Sequence, residues 1–189
     1  ASSGIGRAIA IRFAQEGADV AINYYSDKED AIETKENITA ACQSIEGCGA
    51  RSLVVQADVS KDGDVDRMFE TTLDKFGGLD ILINNAGMQI SGPSHEIAIE
   101  KVDRMIAINL RGAYLCARKA IQHFLAEQKP GIVLNTSSVH EIIPRPQYVG
   151  YSISKGGMEN MTRTLALEYA KCGIRVNAIG PGATATPIN

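Results

Sequence analysis

Strands and helices alternate along this chain, which predicts an α/β fold built on a doubly wound parallel sheet with helices on both faces. Three observations carry that expectation. The apolar runs Val20-Ala21-Ile22, Leu53-Val54-Val55, Ile81-Leu82-Ile83 and Ile132-Val133-Leu134 are short and unbroken, as in strands covered on both faces. Between them lie longer stretches whose apolar residues recur every three or four positions, the helical period. The connections are a few residues long, so each strand–helix–strand unit closes as a right-handed crossover.

The elements follow in order. A helix opens at Ser2-Ser3-Gly4-Ile5-Gly6, with Ile5, Ile9 and Phe13 as its buried stripe, and ends near Gly17. After the strand at 20–22, residues 26–46 read as a surface helix with Ala31, Ile38, Ala41 and Ile45 as a sparse apolar face, stopped at Gly47 and Gly49. The strand at 52–57 is closed by Asp58. A helix capped by Ser60 then carries Val65, Met68, Phe69, Leu73 and Phe76 inward. One long helix covers 99–127. Another runs over 151–170, with Met158, Met161, Leu165 and Tyr169 on one face, and the last strand, 175–179, ends at Gly180-Pro181-Gly182.

The chain has 189 residues, enough to bury a core, and shows no linker or repeat, so residues 1–189 are expected to form a single domain. Residue 1 already lies inside the glycine loop, ahead of which such a sheet carries a strand. The expectation is therefore an internal piece of a longer chain that would fold poorly alone.

Composition is that of a soluble globular protein, 44% apolar and 22% charged, and the net charge of -3 offers no basic surface for nucleic acid. Three scattered histidines lack metal-ligand spacing, so no metal is expected. Cys42, Cys48, Cys116 and Cys172 form no CxxC pair and read as thiols in a reducing cytoplasm. No run approaches the roughly 20 apolar residues of a membrane span.

Chemistry concentrates in a few motifs. Gly4-Ile5-Gly6 at a helix start would let a pyrophosphate approach backbone N–H groups, although a plain tight turn reads the same way. Asn84-Asn85-Ala86-Gly87 follows a strand at its carboxyl end, where open α/β sheets bind ligands; an Asn-rich turn is the alternative. Tyr151 and Lys155 stand at i and i+4, on one helix face. An ammonium there would lower the tyrosine pKa and make Tyr151 an acid/base, but a surface pair has the same spacing. Ser137 and Ser138 end the strand at 132–134, where a hydroxyl could steady a substrate oxygen. Asn109, a poor helix former between Ile108 and Leu110, reads as a buried side chain needing partners for its amide.

Taken together and in order, these residues resemble the short-chain dehydrogenase/reductase family over essentially the whole chain. The matching pieces are Gly4-Ile5-Gly6, Asp58-Val59, Asn84-Asn85-Ala86-Gly87, Asn109, Ser138, Tyr151-x-x-x-Lys155 and Pro181-Gly182. The resemblance implies a three-layer Rossmann-like fold, lacking here the first strand and the C-terminal segment. It implies Tyr151 as acid/base, Ser138 orienting the carbonyl, Lys155 on the nicotinamide ribose, and Asn109 holding a relay water through distorted backbone. It also implies cofactor contacts from Ser3, Gly4, Ile5, Gly6, Tyr24, Asp58, Val59, Asn85, Ala86, Gly87, Pro181, Gly182 and Thr184, and a homotetramer for the full-length chain.

Within the family, Ser137-Ser138-Val139-His140-Glu141, Ser154-Lys155-Gly156-Gly157-Met158 and Thr186-Pro187-Ile188-Asn189 are similar to bacterial glucose 1-dehydrogenases. That likeness places His140 and Asn189 toward a sugar, with Gln89 where the group carries a glutamate. The implied reaction is hydride transfer between NAD(P) and the CH–OH group of a sugar or alcohol. A carbonyl or 3-oxoacyl reductase and a silent cofactor-binding module are the alternatives. Tyr24 stands where an acid would repel a 2′-phosphate, so NADP is favoured over NAD.

Overall fold

The computed structural model describes residues 1–186; Asn189 and the Pro187-Ile188 before it lie outside the described residues. The fold class is the expected one, parallel strands with flanking helices in a Rossmann-like α/β arrangement, and the chain divides into two compact units.

The first unit comprises Ala1–Gly78 together with the described residues of Ala185–Asn189. Helices α1 (Gly4–Gln15), α2 (Lys28–Gln43) and α3 (Asp62–Phe76) flank a parallel pair of strands, β1 (Val20–Tyr24) and β2 (Ser52–Gln56), registered Val20 to Ser52 and Tyr24 to Gln56. The buried stripe of α1 is Gly6, Ala10 and Ala14, while Ile5, Ile9 and Phe13 are only half-buried. Small side chains at i, i+4 and i+8 let α1 lie close against α2, and Ala10 and Ala14 join Ile22, Tyr24, Ala31, Ile38 and Cys42 in one core.

Two further readings of this unit change. The inner face of α2 is Ala31, Thr34, Ile38 and Cys42, so Ala41 and Ile45 sit off the buried line and Ile45 is exposed. Thr34 can be fully buried because its hydroxyl donates to Asp30 O at 2.9 Å. Ser60 does not cap α3: Lys61 is the capping residue, and the Ser60 hydroxyl donates to Asp58 Oδ1 at 2.6 Å. Cys42 and Cys48, expected as thiols, are joined in a disulfide, whereas Cys116 and Cys172 are free.

The second unit is Leu79–Thr184. Its sheet has the order β3 (Ile81–Asn84), β4 (Gly131–Thr136), β5 (Ile174–Ile179), all parallel. The long helix resolves into α4 (Ile99–Ile106) and α5 (Ala113–Ala126) joined by a π-helical segment, Ala107–Gly112. Helix α6 (Val149–Tyr169) packs on β5, on α4 and on the π segment. The approach is close: a Cβ on Gly157 would come within 2.7 Å of Leu110 Cδ2, and one on Gly150 within 2.5 Å of Met105 Cε.

Among the described residues no helix is long and apolar enough to cross a membrane, and no cluster of side chains could hold a metal.

Candidate active site

The site of the second unit gathers at the carboxyl ends of β3 and β4, where parallel strands leave their last backbone groups without sheet partners. β4 delivers Thr136, then Ser137 and Ser138. Ser138 is extended (φ -165°) and accepts a hydrogen bond from His140 N at 3.2 Å, capping the short turn Val139–Glu141 through its own hydroxyl. That turn is pinned to the segment after β5, because Val139 N donates to Pro181 O at 3.3 Å.

α6 supplies the other half. Lys155 is 4% exposed, and its ammonium donates to Thr136 O at 2.7 Å. Its Nζ lies 5.6 Å from the centre of the Tyr151 ring. The His140 ring stands edge-on to Tyr151 at 5.5 Å and lies 5.3 Å from Tyr148. Ser138, Tyr151, Lys155 and His140 are thus brought together as expected.

The electrostatics depart from the simple reading. The lysine was expected to lower the tyrosine pKa, but burial dominates and raises it, with the Ser138 hydroxyl pulling the other way. The ammonium is turned toward Thr136 O rather than the phenol. Burial also brings Lys155 down to about 8, opposed by the negative charge of Glu141.

Asn109 sits inside the π segment, fully buried. Its Oδ1 accepts from Met88 N at 2.8 Å, and its Nδ2 donates to Met88 O at 2.9 Å and to Ser154 Oγ at 3.1 Å. The Ser154 hydroxyl in turn donates to Tyr151 O at 2.7 Å. The expected backbone distortion is this π segment, a feature often found at functional sites.

Asn84, already part of the strand-end motif, and residues that the sequence did not single out complete the frame. Asn84 Nδ2 donates to Asn135 Oδ1 at 2.9 Å, and Asn135 Nδ2 donates to Thr162 Oγ1 at 2.8 Å, tying β3 to β4 and β4 to α6. The signal for Asn135 is a polar residue ending an otherwise apolar strand. Glu141 was noted only as part of a motif, and one of its carboxylate oxygens, Oε2, is buried without a hydrogen-bond partner among the described residues.

The remaining expected contacts are placed as follows. In the second unit, Asn85 and Gln89 are half-buried, Ala86 and Gly87 are exposed at the end of β3, and Gly182 and Thr184 are exposed after β5. In the first unit, Ser3 stands ahead of α1 with no side-chain cap, Gly4 adopts φ 54°, and Gly6 is buried. Tyr24 lies in that unit's core, 8% exposed, and Asp58 and Val59 are buried just after β2.

Each unit by itself carries one feature that suits part of a nicotinamide cofactor. The first turn of α1 has its N–H groups uncapped by any side chain, which suits an anion. A Cβ on Gly87 would lie 3.5 Å from Asn109 Oδ1 and 3.9 Å from Lys155 Nζ, so a glycine keeps the face beside the lysine open.

The comparisons agree with this geometry. Residues 1–189 match the short chain dehydrogenase family. The chain is 50% identical to the 3beta-hydroxysteroid dehydrogenase 1 of Eggerthella lenta, covering 100% of this chain and 69% of that protein. It is 46% identical to the glucose 1-dehydrogenase of Gluconobacter oxydans, over 100% of this chain and 68% of that one. Among solved structures, a levodione reductase superposes with a TM-score of 0.92 at 34% identity, covering 99% of this chain and 70% of that one. Strand-end serine, helix-borne tyrosine and buried lysine occur here in the fold of these enzymes, and the chain belongs to the short chain dehydrogenase family, as an oxidoreductase acting on CH–OH groups.

Proposed function

We propose that residues 1–189 form the NAD(P)-binding domain of a dehydrogenase that oxidises a CH–OH group of a sugar, with glucose to gluconolactone as the reference reaction. The observation that carries this reading is Lys155 held at Thr136 O within reach of Tyr151, beside Ser138. A bound nicotinamide would supply the hydride acceptor for the substrate carbon. Ser138 donates a hydrogen bond to the substrate oxygen, and Tyr151 takes the hydroxyl proton as the carbonyl forms. Lys155 would hold the nicotinamide ribose, with its Nζ 5.6 Å from the centre of the Tyr151 ring. Asn109 keeps the turn at Met88 and the start of α6 in place, and steadies a relay water.

Cofactor contacts in this reading are Ser3, Gly4, Ile5 and Gly6 on the pyrophosphate, Tyr24 at the adenine ribose, and Asp58 and Val59 on adenine. In the second unit the proposed contacts are Asn85, Ala86, Gly87, Pro181, Gly182 and Thr184. A sugar is supported by His140, whose ring stands edge-on to Tyr151 and whose Nδ1 is buried without a partner among the described residues. Gln89 is proposed on the substrate side by the likeness to glucose 1-dehydrogenases, and Asn189, proposed with it, lies outside the described residues. Two relatives named glucose 1-dehydrogenase, from Gluconobacter oxydans and Bacillus subtilis, are each 46% identical to this chain.

A second reading takes a larger apolar alcohol. It is supported by the steroid dehydrogenase relative and by Ile142 and Ile143, 71% and 65% exposed beside the His140 turn. Absorbance at 340 nm with glucose, other sugars and 3β-hydroxysteroids, each with NAD and NADP, separates the two. Turnover with glucose above the steroids supports the sugar; the reverse order replaces it.

No acid stands at Tyr24 to repel a 2′-phosphate, so kcat/KM should favour NADP. A strong NAD preference would overturn this part. A homotetramer and a cytoplasmic location complete the proposal. Sedimentation tests the first. Thiol titration of protein taken from cells tests the second, since a Cys42–Cys48 disulfide is uncommon in a reducing compartment.

A further inference from the structure

Glu141 has no part in the chemistry above, yet its carboxylate lies inside the same unit with Oε2 buried and without a hydrogen-bond partner among the described residues. A buried carboxylate oxygen that no described residue satisfies is costly unless a charge compensates it. The place of Glu141 is well defined by its neighbours. Its N donates to Ser138 O at 3.0 Å. Its Oε1 would lie 3.4 Å from a Cβ on Gly180, the residue after β5, and its O 3.9 Å from one on Gly156, the residue after Lys155. The carboxylate therefore sits over the carboxyl end of β5.

Lys155 sits over the neighbouring strand end. Its ammonium is bound to Thr136 O at 2.7 Å, and Thr136 pairs with Ile179, which directly precedes Gly180. Ammonium and carboxylate thus occupy adjacent strand ends. Of the elements packed around Glu141, α6 brings Lys155 and Tyr151 at this end, and its own turn brings His140. The carboxyl ends of β4 and β5 and Gly180-Pro181-Gly182 bring no titratable side chain. Glu159, further along α6, is engaged by Arg163.

From this juxtaposition we propose that Glu141 is a positioning residue, the buried counter-charge that keeps the Lys155 ammonium charged and seated at the end of β4. The direction of the lysine shift agrees, since burial lowers it and Glu141 raises it. The proposal rests on Lys155 acting on the cofactor ribose and on Tyr151, as set out above.

The test compares the enzyme with Glu141→Gln, which keeps shape and removes charge, and Glu141→Asp, which keeps charge and withdraws it. Two profiles are read against pH: NADPH affinity by fluorescence quenching, and kcat/KM for carbonyl reduction, the direction in which Lys155 and Tyr151 both act in their protonated forms. In Glu141→Gln the alkaline limb of both should move down by about one pH unit, with Glu141→Asp between it and the parent. A purely structural role would change affinity or melting temperature without moving the limb. A Glu141→Gln limb superposed on the parent's overturns the proposal. Should Glu141→Gln fail to fold, a Glu141→Asp limb at the parent's position overturns it equally. Should no substrate turn over, the proposed reaction fails, and the affinity profile still decides the role of Glu141.

Discussion

Asn109 grips Met88 by both halves of its amide, accepting from Met88 N at 2.8 Å and donating to Met88 O at 2.9 Å. This two-point clasp joins the π segment to the loop after β3, and Ser154 extends it to the backbone of Tyr151. Asn109→Ala strands a backbone N–H and C=O and should cost about 1–3 kcal/mol. Thermal denaturation measures that loss. A fall in kcat/KM should accompany it, because the turn carrying Gly87 and the start of α6 lose their common anchor. An unchanged melting temperature would show that the clasp contributes nothing.

Tyr151→Phe keeps the ring against His140 and removes only the hydroxyl. Turnover should fall by about two to four orders of magnitude, the usual worth of a positioned acid/base. NADPH binding should persist, since Lys155 keeps its bond to Thr136 O. Stopped assays and fluorescence titration on one preparation check both halves, and residual turnover near the parent's rate removes Tyr151 from the mechanism.

The raised tyrosine pKa sets opposite pH trends for the two directions. Oxidation of an alcohol needs the phenolate, so its rate should climb with pH. Reduction of a carbonyl needs the phenol and should be flat through neutrality, then decline. Initial rates in both directions across the pH range read this directly; parallel profiles would contradict it.

Lys155 also links stability to pH. Its folded pKa of about 8 lies below the ordinary value of 10.5. Between these two values the unfolded chain binds the proton and the folded chain does not, so this group's contribution rises with pH across that window. Below about 8 the cost of the buried charge is fully present. Urea melts of the parent and Lys155→Met at several pH values should show the difference between them narrowing from pH 8 upward.

Gly131→Ala tests the packing of the second unit. A Cβ there would lie 2.2 Å from Phe124 Cδ2, a ring that is itself fully buried. Overpacking of this kind should cost about 1–3 kcal/mol. Pairing it with Phe124→Leu should recover part of the loss, and a melting temperature unchanged by Gly131→Ala would show that the ring moves aside freely.

Much of this arrangement is legible in the chain. The β strands announce themselves as unbroken apolar runs, and Tyr151 and Lys155 share a face because a helix repeats every 3.6 residues. The less visible features depend on which neighbour each side chain meets. Periodicity alone pointed to Ile5, Ile9 and Phe13 in α1, but the buried stripe is Gly6, Ala10 and Ala14, because α2 approaches that side. Ser60 looks like a cap until Asp58 takes its hydroxyl. The long helix reads as continuous, and nothing local marks the π segment around Asn109, whose amide is satisfied by residues 21 and 45 positions away.

Sequence by itself determined the α/β class, the order of the elements and the strand-end and helix-face positions of Ser138, Tyr151 and Lys155, since these follow from local periodicity and from where parallel strands stop. Tertiary structure alone decided the direction of the charges: that Tyr151 is raised rather than lowered, that the Lys155 ammonium turns to Thr136 O, and that Glu141 lies over the neighbouring strand end. The reason is physical. A pKa is set by desolvation and by charges brought close from distant parts of the chain, and neither exists until the chain has packed.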